Sequence, residues 1–386
     1  MAPIKHFDVI VIGLGTAGSA TCMELARRGT AVLGIDAFTP PHTMGSHHGE
    51  SRSIRRAYME GTAYVPMAIR AWELWRKLEQ DTGRRLLMET ANLTIGPPGS
   101  PAVEGFLKSA RTYDIPFEYL TAPDIHARWP QLNPPEDYTA GLEFHVGIIF
   151  PESAVETFLA EADQAGADLI FNDPVVHWEE RNARVSVNTA ASSYEAGRLL
   201  LAAGAGNKAL LCRSGTSLVV KRVPVCWVTP PREKAFSLNT FPVNFWQVPH
   251  ELQDGIPVYD EAYALPVSRA GGMVKVAPHN GLADADLDHH MERATASEYD
   301  RIRTFIKRYI PDLAPQKIRS QVCLYTLTDD LSFWLGPLPG HQNVFISALS
   351  GHGFKFAPVL GEILSDMLMG NRSLFDVSMF DPGRAA

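Results

Sequence analysis

The residues best placed to do chemistry open the chain. Gly13, Gly15 and Gly18 have the spacing G-x-G-x-x-G. The apolar run Val9 to Ile12 before them predicts a fully buried strand of a parallel sheet. Ser19 to Gly29 after them predicts a helix stopped by glycine, and Thr30 to Asp36 a second strand ending in an acid. Each glycine has a separate task. The first permits a tight turn, the second lets the backbone approach a pyrophosphate, and the third lets helix and strand pack closely. The helix N-terminus then offers free N–H groups and the positive end of its dipole to phosphates. Asp36, about 20 residues on, can accept hydrogen bonds from a ribose. Strand, turn, helix, second strand and acid follow in order, which argues against a glycine turn with no nucleotide.

A second chemically dense stretch runs from Gly45 through His47, His48, Arg52, Arg55 and Arg56 to Tyr58. It predicts a loop leading into a short helix, near the far end of the bound dinucleotide. On its own it reads equally as a solvated basic turn. Ser350-Gly351-His352-Gly353-Phe354-Lys355-Phe356 follows an apolar strand, Asn343 to Leu349, and precedes a helix, Ala357 to Met369, with Pro358 in its first turn.

Other elements must position these groups. Residues 63–82 predict a helix with Ile69, Trp72, Trp75 and Leu78 on one side. Residues 86–144 read as an insertion, with a strand at 93–95, a helix at 101–112, and Pro130, Pro134 and Pro135 marking its end. From residue 145 the nucleotide-domain pattern resumes. It predicts a helix from Pro151 to Gly166, a strand over Asp168–Phe171, and a hairpin from Val175-Val176-His177-Trp178 to Val187. The strand from Arg198 then ends in small residues, including Gly204, that permit close approach of a ligand. Residues 216–319 predict strands at Leu218–Trp227 and Met273–Ala277 and a helix at 296–309. The fold class is therefore α/β, α+β overall. A Rossmann-type domain is built from 1–85, 145–215 and 320–386, and a mainly antiparallel substrate domain from 86–144 and 216–319. A cofactor held by segments from the whole chain suits a flavin better than a nicotinamide.

Composition bounds the rest. The 386 residues suffice for two domains, and 45% hydrophobic with 20% charged residues is ordinary for a soluble globular protein. A net charge of −8 argues against nucleic acid or an anionic membrane as partner. The start of the chain leaves no room for a signal peptide, and no apolar run approaches a membrane span. Cys22, Cys212, Cys226 and Cys323 are scattered, which fits a reducing cytoplasm and argues against a disulfide framework or a metal site.

Taken together, the motifs resemble the monomeric sarcosine oxidase and N-methyl-tryptophan oxidase family of flavin amine oxidases over nearly the full length. The most specific pieces are Gly45-Ser46-His47-His48-Gly49-Glu50-Ser51-Arg52, Val322-Cys323-Leu324-Tyr325-Thr326 and the Gly351 to Phe356 segment. The resemblance implies FAD, a small secondary amino acid as substrate, and O₂ as acceptor. The C–N bond would be oxidised to an imine with release of H₂O₂, by a monomer. Within the same chemistry it leaves room for cyclic imino acids (pipecolate- or proline-like), glycated amino acids, or a dehydrogenase with another acceptor.

The resemblance also assigns residues. Cys323 matches the cysteine bonded through sulfur to the flavin 8α-methyl carbon, and Arg52 an arginine near the flavin ring. A thiolate is the reacting form, so a cationic neighbour helps. By pattern alone Cys323 reads as a small buried hydrophobe. Arg55 and Lys355 match the pair that binds the substrate carboxylate, one bidentate and one a point charge. Gly351 and Gly353 would offer N–H groups to negative charge on the reduced flavin, and Ser46, Val176 and Gly204 would contact the cofactor. Lys275 matches a lysine over the flavin for oxygen activation, although a lysine between valines also describes a half-exposed strand. His279 matches an active-site histidine, while His48, Tyr263 and Tyr325 are similar to groups near the substrate. The chain departs from the family pattern at Ser332 to Gly336, at Gly206 and at Ala277-Pro278. These departures fall on the substrate side-chain pocket and the ring environment. They leave the carboxylate pair and Cys323 untouched.

Overall fold

A computed structural model describes residues 5–211, 218–253, 256–287, 293–313 and 318–385. Cys212 lies outside them. From the N-terminus come β1 (Lys5–Ile12), α1 (Thr16–Arg27), β2 (Val32–Ile35), β3 (Arg52–Ile54) and α2 (Val65–Thr82). They are followed by β4 (Leu87–Gly96), α3 (Pro101–Thr112), β5 (Phe117–Thr121), α4 (Ala122–Arg128) and β6 (Thr139–Ile149). Next are α5 (Pro151–Gln164), β7 (Asp168–Ile170), β8 (Val175–Arg181), β9 (Arg184–Thr189), β10 (Ser193–Leu201) and α6 (Asn207–Leu210). Then β11 (Val219–Val228), β12 (Val243–Gln253), β13 (Ile256–Leu265), β14 (Val274–Pro278) and α7 (Ala296–Tyr309). The chain closes with β15 (Ile318–Leu327), β16 (Trp334–Pro337), β17 (Val344–Ala348) and α8 (Ala357–Met369).

The first sheet runs β16-β17-β10-β1-β2-β7, with β9 and β8 added beside β10. Its central strands are parallel, and Ile12 stands level with Ile35 and Leu201, which is itself level with Ile346. The apolar run of β1 is explained by two buried faces. Val9 and Val11 pack into the core shared with α1, α2, α5 and α8. Ile10 and Ile12 pack against the β8–β9 hairpin. Gly18 lets α1 start tight on the turn, since a Cβ there would stand 1.8 Å from the Gly13 carbonyl oxygen.

The second sheet runs β15-β11-β14-β13-β12-β4-β6-β3, with β5 on β6. Only the β12–β4 pair among these is parallel. One face is covered by α7 and α4 through Ile302, Ile306, Tyr309 and Ile125. The other face carries Val223, Val225, Cys323, Tyr263 and Tyr325 toward the carboxyl ends of the first sheet.

Two expectations change. The short helix expected after residue 45 is the strand β3, which hydrogen-bonds to β6 through Arg52–Ile149 and Ile54–Gly147. The second sheet also takes strands from stretches expected in the nucleotide domain: β3, the end of β6 and β15. Long-range pairing decides this, and local periodicity does not carry it. β14, which could have been half-exposed, is buried throughout.

Gly18→Ala should cost about 1–3 kcal/mol or more, because the clash is with backbone that cannot swing away. Thermal unfolding of the variant without added cofactor checks it; an unchanged midpoint would contradict the close packing described here.

Candidate active site

A cavity of about 410 Å³ lies between the carboxyl ends of the first sheet and the inner face of the second. Gly13, Gly15 and Asp36 line one end, Arg52, Lys275 and Cys323 the middle, and Arg55, His279 and Lys355 the other end.

At the first end Gly13 has φ +92°, and a Cβ on it would stand 2.4 Å from Ala203 Cα. Asp36 accepts from the backbone N–H of Leu14 (2.7 Å) and of Phe38 (2.9 Å). Burial disfavours its charge, but His42 and those two N–H groups hold the carboxyl below its usual range. Burial also pushes the neighbouring His47 imidazole down to about 3, so it is neutral.

In the middle, Arg52 is wrapped by carbonyls. It donates to Ser51 (2.8 Å), Ser46 (2.8 Å) and His48, and its Nη2 lies 3.7 Å from Cys323 Sγ. Ser46 donates through Oγ to the Leu324 carbonyl, tying the loop to β15. Cys323 is 2% exposed. Burial alone would raise its pKa, yet His48, Arg52 and Lys275 bring it down to about 6. Lys275 donates to the carbonyls of Gly49 (3.0 Å) and Ser51 (2.6 Å). Burial, then Arg52, pushes its pKa well below the ordinary lysine value.

At the far end Arg55 pairs with Glu60 at 2.8 Å, under the rings of Tyr58 and Phe245. Its Nε is buried without a partner among the described residues. Arg55 leads the groups that hold Glu60 down to about 2 despite burial. Lys355 donates to Tyr58 Oη (3.2 Å) and to the His352 carbonyl (2.9 Å). Tyr58 Oη lies 2.7 Å from His352 Nδ1, and His352 Nε2 lies 3.2 Å from the Leu331 carbonyl. That carbonyl can only accept, so the ring proton belongs on Nε2. Trp75, expected as core, is core and also holds the site: its Nε1 donates to the Lys355 carbonyl at 2.8 Å. His279 Nδ1 lies 3.2 Å from Tyr325 Oη, and burial pushes this histidine down to about 3.

The structure thus brings together Lys275, His279, Arg55, Lys355, Tyr263 and Tyr325 with Gly13, Gly15, Asp36, Ser46, Arg52, Gly204, Cys323, Gly351 and Gly353 around one cavity. Gly18 stands behind the turn. Two placements differ from expectation. His48 does not line the cavity: it sits behind Cys323, its Nδ1 3.8 Å from the sulfur. Val176 is 65% exposed, and Val175 lines the cavity instead. Successive strand residues face opposite sides, and the pairing of β8 with β9 shifts register between Val175 and His177.

Sequence reasoning missed Glu60, Phe245 and Tyr58. It also missed the pair Gln247–Glu261 (2.8 Å), which sits one step beyond Phe245 and Tyr263 on the same strand face. Burial raises the Glu261 carboxyl. A carboxylate five residues after an arginine was the only local signal for Glu60. Among the described residues no group of three or more His, Cys, Asp or Glu could hold a metal, and no helix is long and apolar enough to cross a membrane.

An elongated dinucleotide cofactor fits this cavity. The glycine turn would be filled by side chains at Gly13 or Gly15, and Thr326 and Ser347 line the cavity with buried hydroxyls that have no partner among the described residues.

Comparison with known proteins agrees. The family described as FAD dependent oxidoreductase (DAO) matches residues 8–367. A monomeric sarcosine oxidase from Streptomyces avermitilis is 35% identical, covering 98% of this chain and 98% of its own. An N-methyl-L-tryptophan oxidase from Citrobacter koseri is 34% identical, covering 98% of this chain and 99% of its own. The fold is shared with NikD, an amino acid oxidase essential for nikkomycin biosynthesis, in its open form. That structure has a TM-score of 0.83 at 24% identity, with 98% of each chain covered.

Burial, then Arg55, lowers Lys355 to about 7, whereas His279 and His352 lie at about 3 and about 4 and stay neutral near neutrality. A carboxylate bound beside Arg55 favours protonated Lys355. Affinity for a small carboxylate lacking an amine should therefore be full below about pH 7 and fall as pH rises, approaching about tenfold per unit. Lys355→Met should flatten the profile. Equilibrium titration across that range checks both; a pH-independent affinity in the unmodified protein would contradict the assignment.

Proposed function

Because the chain belongs to the FAD dependent oxidoreductase family, in the group of monomeric sarcosine oxidases and N-methyl-L-tryptophan oxidases, we propose that it oxidises secondary (N-methyl) amino acids and reduces O₂ to H₂O₂. The observation that carries this reading is that one cavity is lined by the nucleotide turn, by Cys323 with Arg52 and Lys275, and by Arg55 with Lys355. The substrate loses one C–H and one N–H bond to become an imine. O₂ gains the two electrons and two protons. FAD, when bound, supplies the acceptor for the electron pair and its delivery to O₂.

The residues divide the work. Arg55 and Lys355 would grip the α-carboxylate, with Arg55 offering the unpartnered Nε. Holding that end fixes the direction of the amine and its carbon, which is the orientation such a transfer needs. Phe245, Tyr263, His279 and Tyr325 wall the same end and exclude water. His279 is neutral and close to Tyr325 Oη, so it adds no charge that would repel or trap the amine. Lys275 would place N–H donors and positive charge where O₂ reduction develops negative charge. Gly351 and Gly353 support the start of α8, and their N–H groups would face negative charge on the reduced cofactor. Cys323 would hold the flavin covalently through sulfur, and its lowered pKa supplies the thiolate at neutral pH. The protein would work as a cytoplasmic monomer.

Acid precipitation should therefore leave yellow, fluorescent flavin in the pellet, and Cys323→Ser should release it. His48→Asn should slow attachment to the flavin-free protein and move its rise with pH upward from about 6, because His48 leads the groups that lower the thiol. Full release of flavin from the unmodified protein would refute attachment.

Lys275→Met should slow reoxidation by O₂ far more than anaerobic reduction by a secondary amino acid, each tenfold loss being about 1.4 kcal/mol. Stopped-flow measurement of the two half-reactions decides it. Unchanged reoxidation would point to a dehydrogenase with another acceptor, and failure of every N-alkyl and cyclic amino acid to bleach the flavin would sink the substrate class.

A further inference from the structure

Glu152 stands outside the cavity, in the first turn of α5. An acid there ordinarily just complements the helix dipole. This one does something more specific. Its Oε1 accepts from two successive backbone N–H groups far away in sequence, Gly49 (2.7 Å) and Glu50 (2.9 Å).

Those N–H groups belong to an unfavourable turn. Gly49 has φ +101° and Glu50 has φ +65°. The Ser51 N–H donates to the Gly49 carbonyl at 2.8 Å, closing a γ-turn around Glu50. A γ-turn with a left-handed, non-glycine centre is strained and persists only where its surroundings hold it. Its carbonyls are the ones the site uses. Gly49 O and Ser51 O accept from Lys275 Nζ, and Ser51 O and His48 O accept from Arg52. Peptide planes are rigid, so holding the Gly49 and Glu50 N–H groups fixes the His48 and Gly49 carbonyls that share those planes, and the hydrogen bond that closes the γ-turn carries the placement on to Ser51. The Glu50 side chain is anchored outside the cavity by Arg319 and Arg269.

We propose that Glu152 is a positioning residue: it holds the 49–51 turn in its strained form and, through the Gly49 and Ser51 carbonyls, sets Lys275 at the cavity wall. Its consequence for turnover rests on the proposed role of Lys275 with O₂. The placement itself does not. The negative charge of Glu152 also favours the protonated form of Lys275 against the opposing effects of burial and Arg52.

The test uses flavin-loaded enzyme carrying Glu152→Ala, with Glu152→Gln in reserve because glutamine keeps an oxygen acceptor and the helix turn. Hydrogen exchange should show the Gly49 and Glu50 amides losing protection while the core strands keep theirs. A crystal structure should show Lys275 Nζ displaced from the Gly49 and Ser51 carbonyls. Intact protection and an unmoved Nζ in both variants would overturn the proposal, whatever Lys275 does. In single-turnover kinetics, reoxidation by O₂ should fall about tenfold with anaerobic reduction changed by no more than about twofold. In a Lys275→Met background the same substitution should add nothing to the reoxidation loss. Equal loss in both half-reactions, or an undiminished loss in that background, would mark Glu152 as merely structural and overturn the positioning role. If Lys275→Met alone leaves reoxidation intact, the oxygen role of Lys275 fails instead, and exchange and the Nζ position decide the placement.

Discussion

Burying several cations around one cavity is the constraint that the rest of this structure answers to. Arg55, Lys275 and Lys355 are 5%, 2% and 6% exposed, and Arg52 stands among them. An unpaired buried charge is strongly unfavourable, and carboxylate partners would be the ordinary remedy. Here neutral acceptors do most of it. Arg52 has the carbonyls of Ser46, His48 and Ser51. Lys275 has those of Gly49 and Ser51, and Lys355 has the His352 carbonyl and the Tyr58 hydroxyl. Neutral oxygens solvate a cation without cancelling it. The cavity therefore keeps a positive field, and Arg52 and Lys275 add to the leading effect of His48 in bringing Cys323 to about 6 against its own burial.

The cavity forms where the inner face of the second sheet meets the loops of the first. The nucleotide turn and Asp36 sit at strand ends of the first sheet, where parallel strands leave a crevice. Cys323 and Lys275 sit on β15 and β14 of the second. The 46–56 stretch is what joins them. It begins as a loop from β2, is tied to β15 by Ser46 and Arg52, and ends as β3 inside the second sheet.

The sequence made some of this legible and hid the rest for physical reasons. The β1–α1–β2 unit was readable because each of its signals is local: an apolar run, three glycines, one acid. So were α7 and α8, whose ends match the expected ones. Cys323, Arg55 and Lys355 carry no local mark and were reached only by resemblance to a family. Lys275 was ambiguous because alternation with valine fits either a solvated or a cavity-facing strand, and only the stacking of two layers decides. Glu60 and Glu152 were invisible because their meaning lies in partners brought close by folding. Val176 faces solvent and its neighbour Val175 the cavity, and which of two adjacent strand residues turns inward depends on how the folded sheet is covered.

The partners also differ in kind according to what each cation has to do. Lys275 and Arg52 are held by backbone, which cannot leave without unfolding the loop. Of the four cations, Arg55 alone is paired with a carboxylate, that of Glu60, whose side chain is 22% exposed. Glu60 reaches Arg55 through one oxygen only and leaves Nε without a partner among the described residues, so a second carboxylate could bind Arg55 without first displacing Glu60. Lys355 reinforces that binding, since its neutral partners leave its charge free to be shared. Fixed charge is thus solvated by main chain where it must stay through every turnover. It is paired with a carboxylate at Arg55, where the proposed substrate would bind.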